Sequence, residues 1–83
     1  MIEKYIKVQN TFITKSNTTI LNFGKPHPNQ TSVVVIFEKD LVNFSYKPHE
    51  YLKDKTVCIT GTVKIYKGRV EFIVKEENKI VIQ

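Results

Sequence analysis

Hydrophobic and polar residues alternate with a period of two along most of this chain. From Tyr5 to Phe12 the apolar positions are Ile6, Val8 and Phe12, with Lys7, Gln9 and Thr11 between them. That alternation predicts a strand with one buried face. Ile13 interrupts it, which predicts a bulge or bend late in a long first strand. Lys15-Ser16-Asn17 supplies turn residues. Thr18 to Phe23, rich in β-branched side chains, then predicts a second strand that forms a hairpin with the first.

Gly24-Lys25-Pro26-His27-Pro28-Asn29-Gln30 is the strongest breaker cluster. Its two prolines lack the N–H that a strand ladder needs, so a loop is predicted. Ser32 to Glu38 follows as a short apolar run and predicts a central strand buried on both faces. Residues Lys39 to Lys55 have no clean period, carry Phe44, Tyr46 and Tyr51, and are interrupted by Pro48. They predict a connector with one short helical turn beginning at Pro48.

Alternation resumes from Thr56 to Tyr66. Val57, Ile59, Val63 and Ile65 share one face, and Cys58, Thr60, Thr62 and Lys64 the other. Gly61 falls on the apolar face, where a missing side chain lets a bent strand pass close to a neighbour. Lys67-Gly68 predicts a hairpin turn into Arg69 to Val74. Glu76-Glu77-Asn78 ends that strand, and Ile80-Val81-Ile82 is a short closing strand. The sum is five main strands and a terminal piece.

Three strands, a connector and two strands is the order of the OB fold, a five-stranded Greek-key barrel. The expected class is therefore all-β, with a short helical connector between strands three and four and one domain over residues 1–83. Two segments carry a closer resemblance. Leu21-Asn22-Phe23-Gly24 with Pro28-Asn29-Gln30 and Val33-Val34-Val35-Ile36-Phe37 resembles a bacterial family of small OB-fold domains. Lys55-Thr56-Val57-Cys58-Ile59-Thr60-Gly61-Thr62-Val63-Lys64-Ile65-Tyr66-Lys67-Gly68-Arg69 is similar to the same family's second motif. The resemblance implies a nucleic-acid-binding-like module. The sequence departs from the family at Asp54, at Val70 in place of a proline, and at Glu76 to Ile80.

Charge changes the picture modestly. Thirteen basic residues against eight acidic give +5, which suits an anionic partner. Ile, Lys and Asn make up 28 of the 83 residues, so part of the lysine excess matches the codon bias of an AT-rich genome. At 83 residues the chain is below the roughly 100–150 residues of a typical domain, which excludes a large enzyme. No apolar run reaches the roughly 20 residues of a membrane span, so no membrane association is expected. The N-terminus has no apolar signal core, which predicts a cytoplasmic protein.

Catalytic chemistry has little to work with. His27 and His49 lie in loop or connector sequence without a partner at metal-ligand spacing, so neither a metal nor another cofactor is expected. Cys58 sits between Val57 and Ile59 and reads as an inert, buried thiol. A nuclease on an OB barrel needs calcium carboxylates and paired arginines, and Arg69 is the only arginine. The chain is expected not to be an enzyme.

The binding chemistry is richer. OB barrels grip single strands on the face of strands two and three, flanked by the loops joining strands one to two and four to five. That places Lys15 and Asn17 in the first loop, Lys64, Tyr66, Lys67 and Arg69 around the second, and Lys25 after strand two. Tyr66, at a turn between cations, is the leading candidate to stack a base. Phe37 is the second, if alternation with Val34 and Ile36 turns it outward. The expected partner is single-stranded DNA or RNA, bound with low sequence preference. A protein-interaction or regulatory module is the alternative: the connector aromatics Phe44, Tyr46 and Tyr51 would present an apolar patch to a protein partner, and the open edges of a small barrel would support a homodimer.

Overall fold

The computed structural model describes residues 2–23 and 32–83. Strands β1 (Ile2–Ile13), β2 (Thr19–Phe23) and β3 (Ser32–Ile36) are followed by a 3₁₀ segment, Glu38–Asn43, and a single turn of helix α1 (Pro48–Tyr51). Strands β4 (Thr56–Tyr66) and β5 (Arg69–Ile73), a 3₁₀ turn at Glu77–Lys79 and β6 (Ile80–Ile82) complete the order. Neighbours run β1-β2-β3-β5-β4, and β1 pairs with β4 to close the barrel. β3 and β5 are parallel; the other pairs are antiparallel. This is the expected all-β, five-stranded OB Greek key, with the connector between β3 and β4.

Closure needs two long strands that each serve two neighbours. β1 pairs with β4 from Ile2↔Gly61 to Lys7↔Thr56, then with β2 from Val8↔Phe23 to Ile13↔Thr19. The register slips between Val8 and Asn10, so the bulge lies at Gln9 and not at Ile13 as the broken alternation suggested. The physical reason is that the strand must bend where it changes partner. A one-residue slip also reverses which face each later side chain takes. Phe12, in phase with Ile6 and Val8 by sequence, therefore faces outward and is exposed.

The barrel interior holds Ile6, Val8, Leu21, Phe23, Val34, Ile36, Val57, Ile59, Phe72, Val74 and Ile80. Phe23 and Phe72 meet with ring centroids 5.8 Å apart, near the favoured tilted geometry. Phe44 and Leu52 from the connector plug one end, and Leu41 and Tyr46 pack against them. β3 is buried on both faces, as its unbroken apolar run predicts: Val34 and Ile36 point inward, while Val33 and Val35 form an outer cluster with Ile20. Ile65 departs from expectation. It keeps the inner-face phase but is 64% exposed, because the β4–β5 hairpin runs on to Ile65↔Val70 and Tyr66↔Arg69, beyond the barrel wall.

Gly61 stands where β4 leaves β1 for β5. A Cβ built there would lie 2.8 Å from the Ile73 carbonyl oxygen, inside any real contact distance. Gly61→Ala should therefore lower stability by about 1–3 kcal/mol through overpacking against backbone. A urea midpoint within error of wild type would contradict this close approach. Tyr46 gives a second handle, because burial first, then the Glu77 carboxylate and Tyr51, push its phenol from 10.0 to about 12. A raised folded-state value stabilises the fold fully below the unfolded value, and that contribution is lost as pH rises through the folded value. Stability should fall between pH 10 and about 12, and Tyr46→Phe should remove that part of the slope.

Candidate nucleic-acid interface

Strand register defines the outer face of the β1-β2-β3-β5-β4 sheet row by row. One row runs Phe12–Ile20–Val35–Ile73–Thr62, and the next runs Asn10–Asn22–Val33–Glu71–Lys64. Arg69 and Tyr66 pair beyond them at the hairpin tip. Ile20, Val33, Val35 and Asn22 at the centre are buried. The middle of the β2–β3 face therefore offers neither exposed aromatics nor cations. The candidate binding side chains stand at its two ends.

The tip of the β4–β5 hairpin gathers one group. Lys64 and Tyr66 are two apart on a strand and so share a face. Tyr66 is 45% exposed, with the Lys64 and Lys67 Nζ atoms 5.9 and 5.4 Å from its ring centroid, within cation–π range. Lys67 and Gly68 both have positive φ, at 51° and 76°, the pattern of a two-residue I′ turn. Asn, Asp or Gly is preferred at the first of these positions, so a lysine held there is conformationally unfavourable.

Arg69 is less free than its sequence suggests. Its Nη2 donates to Glu71 Oε2 at 3.0 Å, and its Nε is buried without a partner. Glu71 was missed as a modulator of this site. Its signal was the Arg69-Val70-Glu71 spacing, since residues two apart on a strand lie side by side. The tip retains two cations over Tyr66 and one ion pair beside it.

Lys15, Asn17 and Phe37 form a second group. Phe37 follows Val33 and Val35 in extended backbone, with φ −71° and ψ 152°, and is 39% exposed. The Asn17 side-chain amide donates to Glu38 Oε2 at 2.9 Å, tying the β1–β2 turn to the start of the 3₁₀ segment. Lys15 is exposed in that turn. Because β5 runs parallel to β3, the hairpin tip lies at the opposite end of the face from this group. From Ser32, level with Val70, to Phe37 the chain spans about 17 Å at the usual strand rise. Phe12 joins this end, hidden from sequence reading by the bulge. Lys25 and His27 lie outside the described residues.

Other chemistry is sparse. Among the described residues no three His, Cys, Asp or Glu side chains gather as a metal site would require, and no helix is long and apolar enough to cross a membrane. His49 uses its backbone carbonyl to accept the Thr11 hydroxyl at 2.6 Å. The Cys58 thiol is pushed up by burial and by the nearby Glu3, which disfavours the nucleophilic thiolate. Comparison with models of protein families, with curated proteins and with solved structures finds no match for this chain.

Asn17 sits at φ 63°, a left-handed conformation that asparagine and glycine tolerate. Asn17→Ala should destabilise by about 1–2 kcal/mol from backbone strain and the lost Glu38 bond. Asn17→Gly loses only the bond and should stay within about 1 kcal/mol of wild type. Chemical denaturation of the two variants side by side checks the difference, and equal losses would contradict it.

Proposed function

We propose that this protein is a non-catalytic OB-fold binding module that takes single-stranded DNA or RNA with low sequence preference. The observation that carries the reading is the exposed Tyr66 ring at the hairpin tip, with the Lys64 and Lys67 ammonium groups within 6 Å of its centroid. Cations beside an accessible aromatic ring match what a single strand presents: phosphates at regular intervals and bases with π-faces. The resemblance of the Lys55 to Arg69 segment to small nucleic-acid-binding-like OB domains points the same way. Low sequence preference follows from the chemistry, since stacking and phosphate contacts do not read base edges.

The two ends of the face have different roles in this reading. The Tyr66 end stacks a base and holds phosphates. Lys15, at the opposite end of the face, meets the phosphates of nucleotides further along, with Phe37 as a second stacking surface. Lys25 belongs with the basic set by sequence. Asn17 acts by shaping the turn, because its amide is committed to Glu38.

Fluorescence anisotropy of a labelled strand of about 20 nucleotides, at about 50 and 200 mM salt, tests the proposal. Three phosphate contacts give a log–log salt slope of about −2, so affinity should fall about 20-fold between those conditions. Tyr66→Ala should remove about 1–3 kcal/mol of binding. Lys67→Asn should weaken binding while stabilising the fold by about 0.5–1 kcal/mol, since asparagine suits the left-handed turn position. A salt-insensitive interaction, or full affinity in both variants, would overturn the assignment.

A further inference from the structure

A groove of about 910 Å³ opens between the connector and the C-terminal strand, away from the hairpin tip. Among the described residues β6 pairs with β4 alone, through Val57↔Ile82, Cys58↔Val81 and Ile59↔Ile80, and its three residues form one wall. The facing wall carries the connector aromatics. Tyr46 and Tyr51 meet with centroids 4.7 Å apart and ring planes tilted by 40°, and Val42 is 85% exposed beside them. Val81 and Ile82 are also exposed, so apolar surface is left uncovered on both walls.

The charge of this groove is opposite to that of the molecule. Its charged lining residues are Glu76 and Glu77, on a chain of net +5. Glu77 is held in place, because its Oε1 accepts both the Ser45 backbone N–H and the Ser45 hydroxyl, the latter at 2.7 Å. Those bonds hold its carboxyl below the ordinary range, so it stays ionised. The Tyr51 ring already takes a cation, the Lys55 ammonium 5.4 Å from its centroid. A strand edge unpaired among the described residues, apolar walls, a close pair of phenol rings and an anchored carboxylate are together the complement of an extended segment alternating apolar and cationic residues.

We propose that this groove docks a basic, extended segment of a partner protein, added beside β6, with a Lys or Arg side chain between Glu77 and the Tyr46–Tyr51 pair. Main-chain hydrogen bonds to the β6 edge supply affinity that is independent of side chains, and the carboxylate selects for positive charge. Val42 covers an apolar residue of the segment, and Val81 and Ile82, which point to opposite faces of β6, each flank one side of it. The site is separate from the hairpin tip, so a nucleic acid and a partner segment can be held together.

The test is an amide-resolved NMR titration of the full chain with the blocked peptide acetyl-Val-Arg-Val-Arg-Val-amide, with the Glu-for-Arg peptide as control. The basic peptide at about 1 mM should shift the resonances of Ile80 to Ile82 and Tyr46, and the acidic one should not. Tyr51→Ala and Glu77→Gln should each weaken binding roughly 2- to 5-fold. Gln at position 77 keeps an oxygen for Ser45, so its effect reports charge and not loss of the fold. Absence of shifts at the groove, equal binding of both peptides, or full affinity in both variants would overturn the proposal. Shifts of the same resonances with protein concentration alone would mark a second copy as the occupant and overturn it too.

Discussion

Everything in this barrel depends on β1 and β4 each bending to serve two neighbours. β1 changes partner at the Gln9 bulge, and β4 does so at Gly61, directly opposite Ile2. The two devices differ physically. A bulge inserts a residue and adds twist, whereas glycine removes a side chain so that the Ile73 carbonyl can approach. Between them they join two long and three short strands into a closed wall with few free edges, and an 83-residue chain obtains a core it would not otherwise enclose.

The same bends decide what the surface offers. After the bulge, β1 presents Phe12 outward, in line with Ile20, Val35 and Ile73, and so extends an apolar row across the outer face. That row is removed from solvent at its centre, and the available side chains stand at the two ends of the face. The hairpin beyond the barrel wall then carries the cations and Tyr66 into solvent. Ile65 is exposed as the consequence of that overhang, since a strand that outruns its neighbours cannot bury its inner side chains.

Charge is segregated by topology as well as by composition. The hairpin tip holds Lys64, Lys67 and Arg69, while the 3₁₀ turn before β6 brings Glu76 and Glu77 to the connector side. The proposed tasks of the molecule, gripping a polyanion and docking a basic segment, use these surfaces separately. Repulsion between each ligand and the other ligand's site is thereby weakened, because charges are screened beyond about 8–10 Å at ordinary salt.

The strand order, the central position of β3, the connector with its turn at Pro48 and the need for glycine at position 61 were all determined by the sequence. Each is a local consequence of periodicity, proline geometry or apolar runs, and local consequences survive folding. The position of the bulge, the outward turn of Phe12 and the exposure of Ile65 were decided only by the tertiary structure. They depend on which strand lies beside which, and one residue of register inverts a face. The candidate site divided along the same line. Tyr66 and its lysines were legible because a hairpin keeps sequence neighbours together. The placement of Lys15 at the opposite end of the face from the tip and the groove beside β6 were not, because the parallel β3–β5 pairing and the barrel closure join residues far apart in the chain.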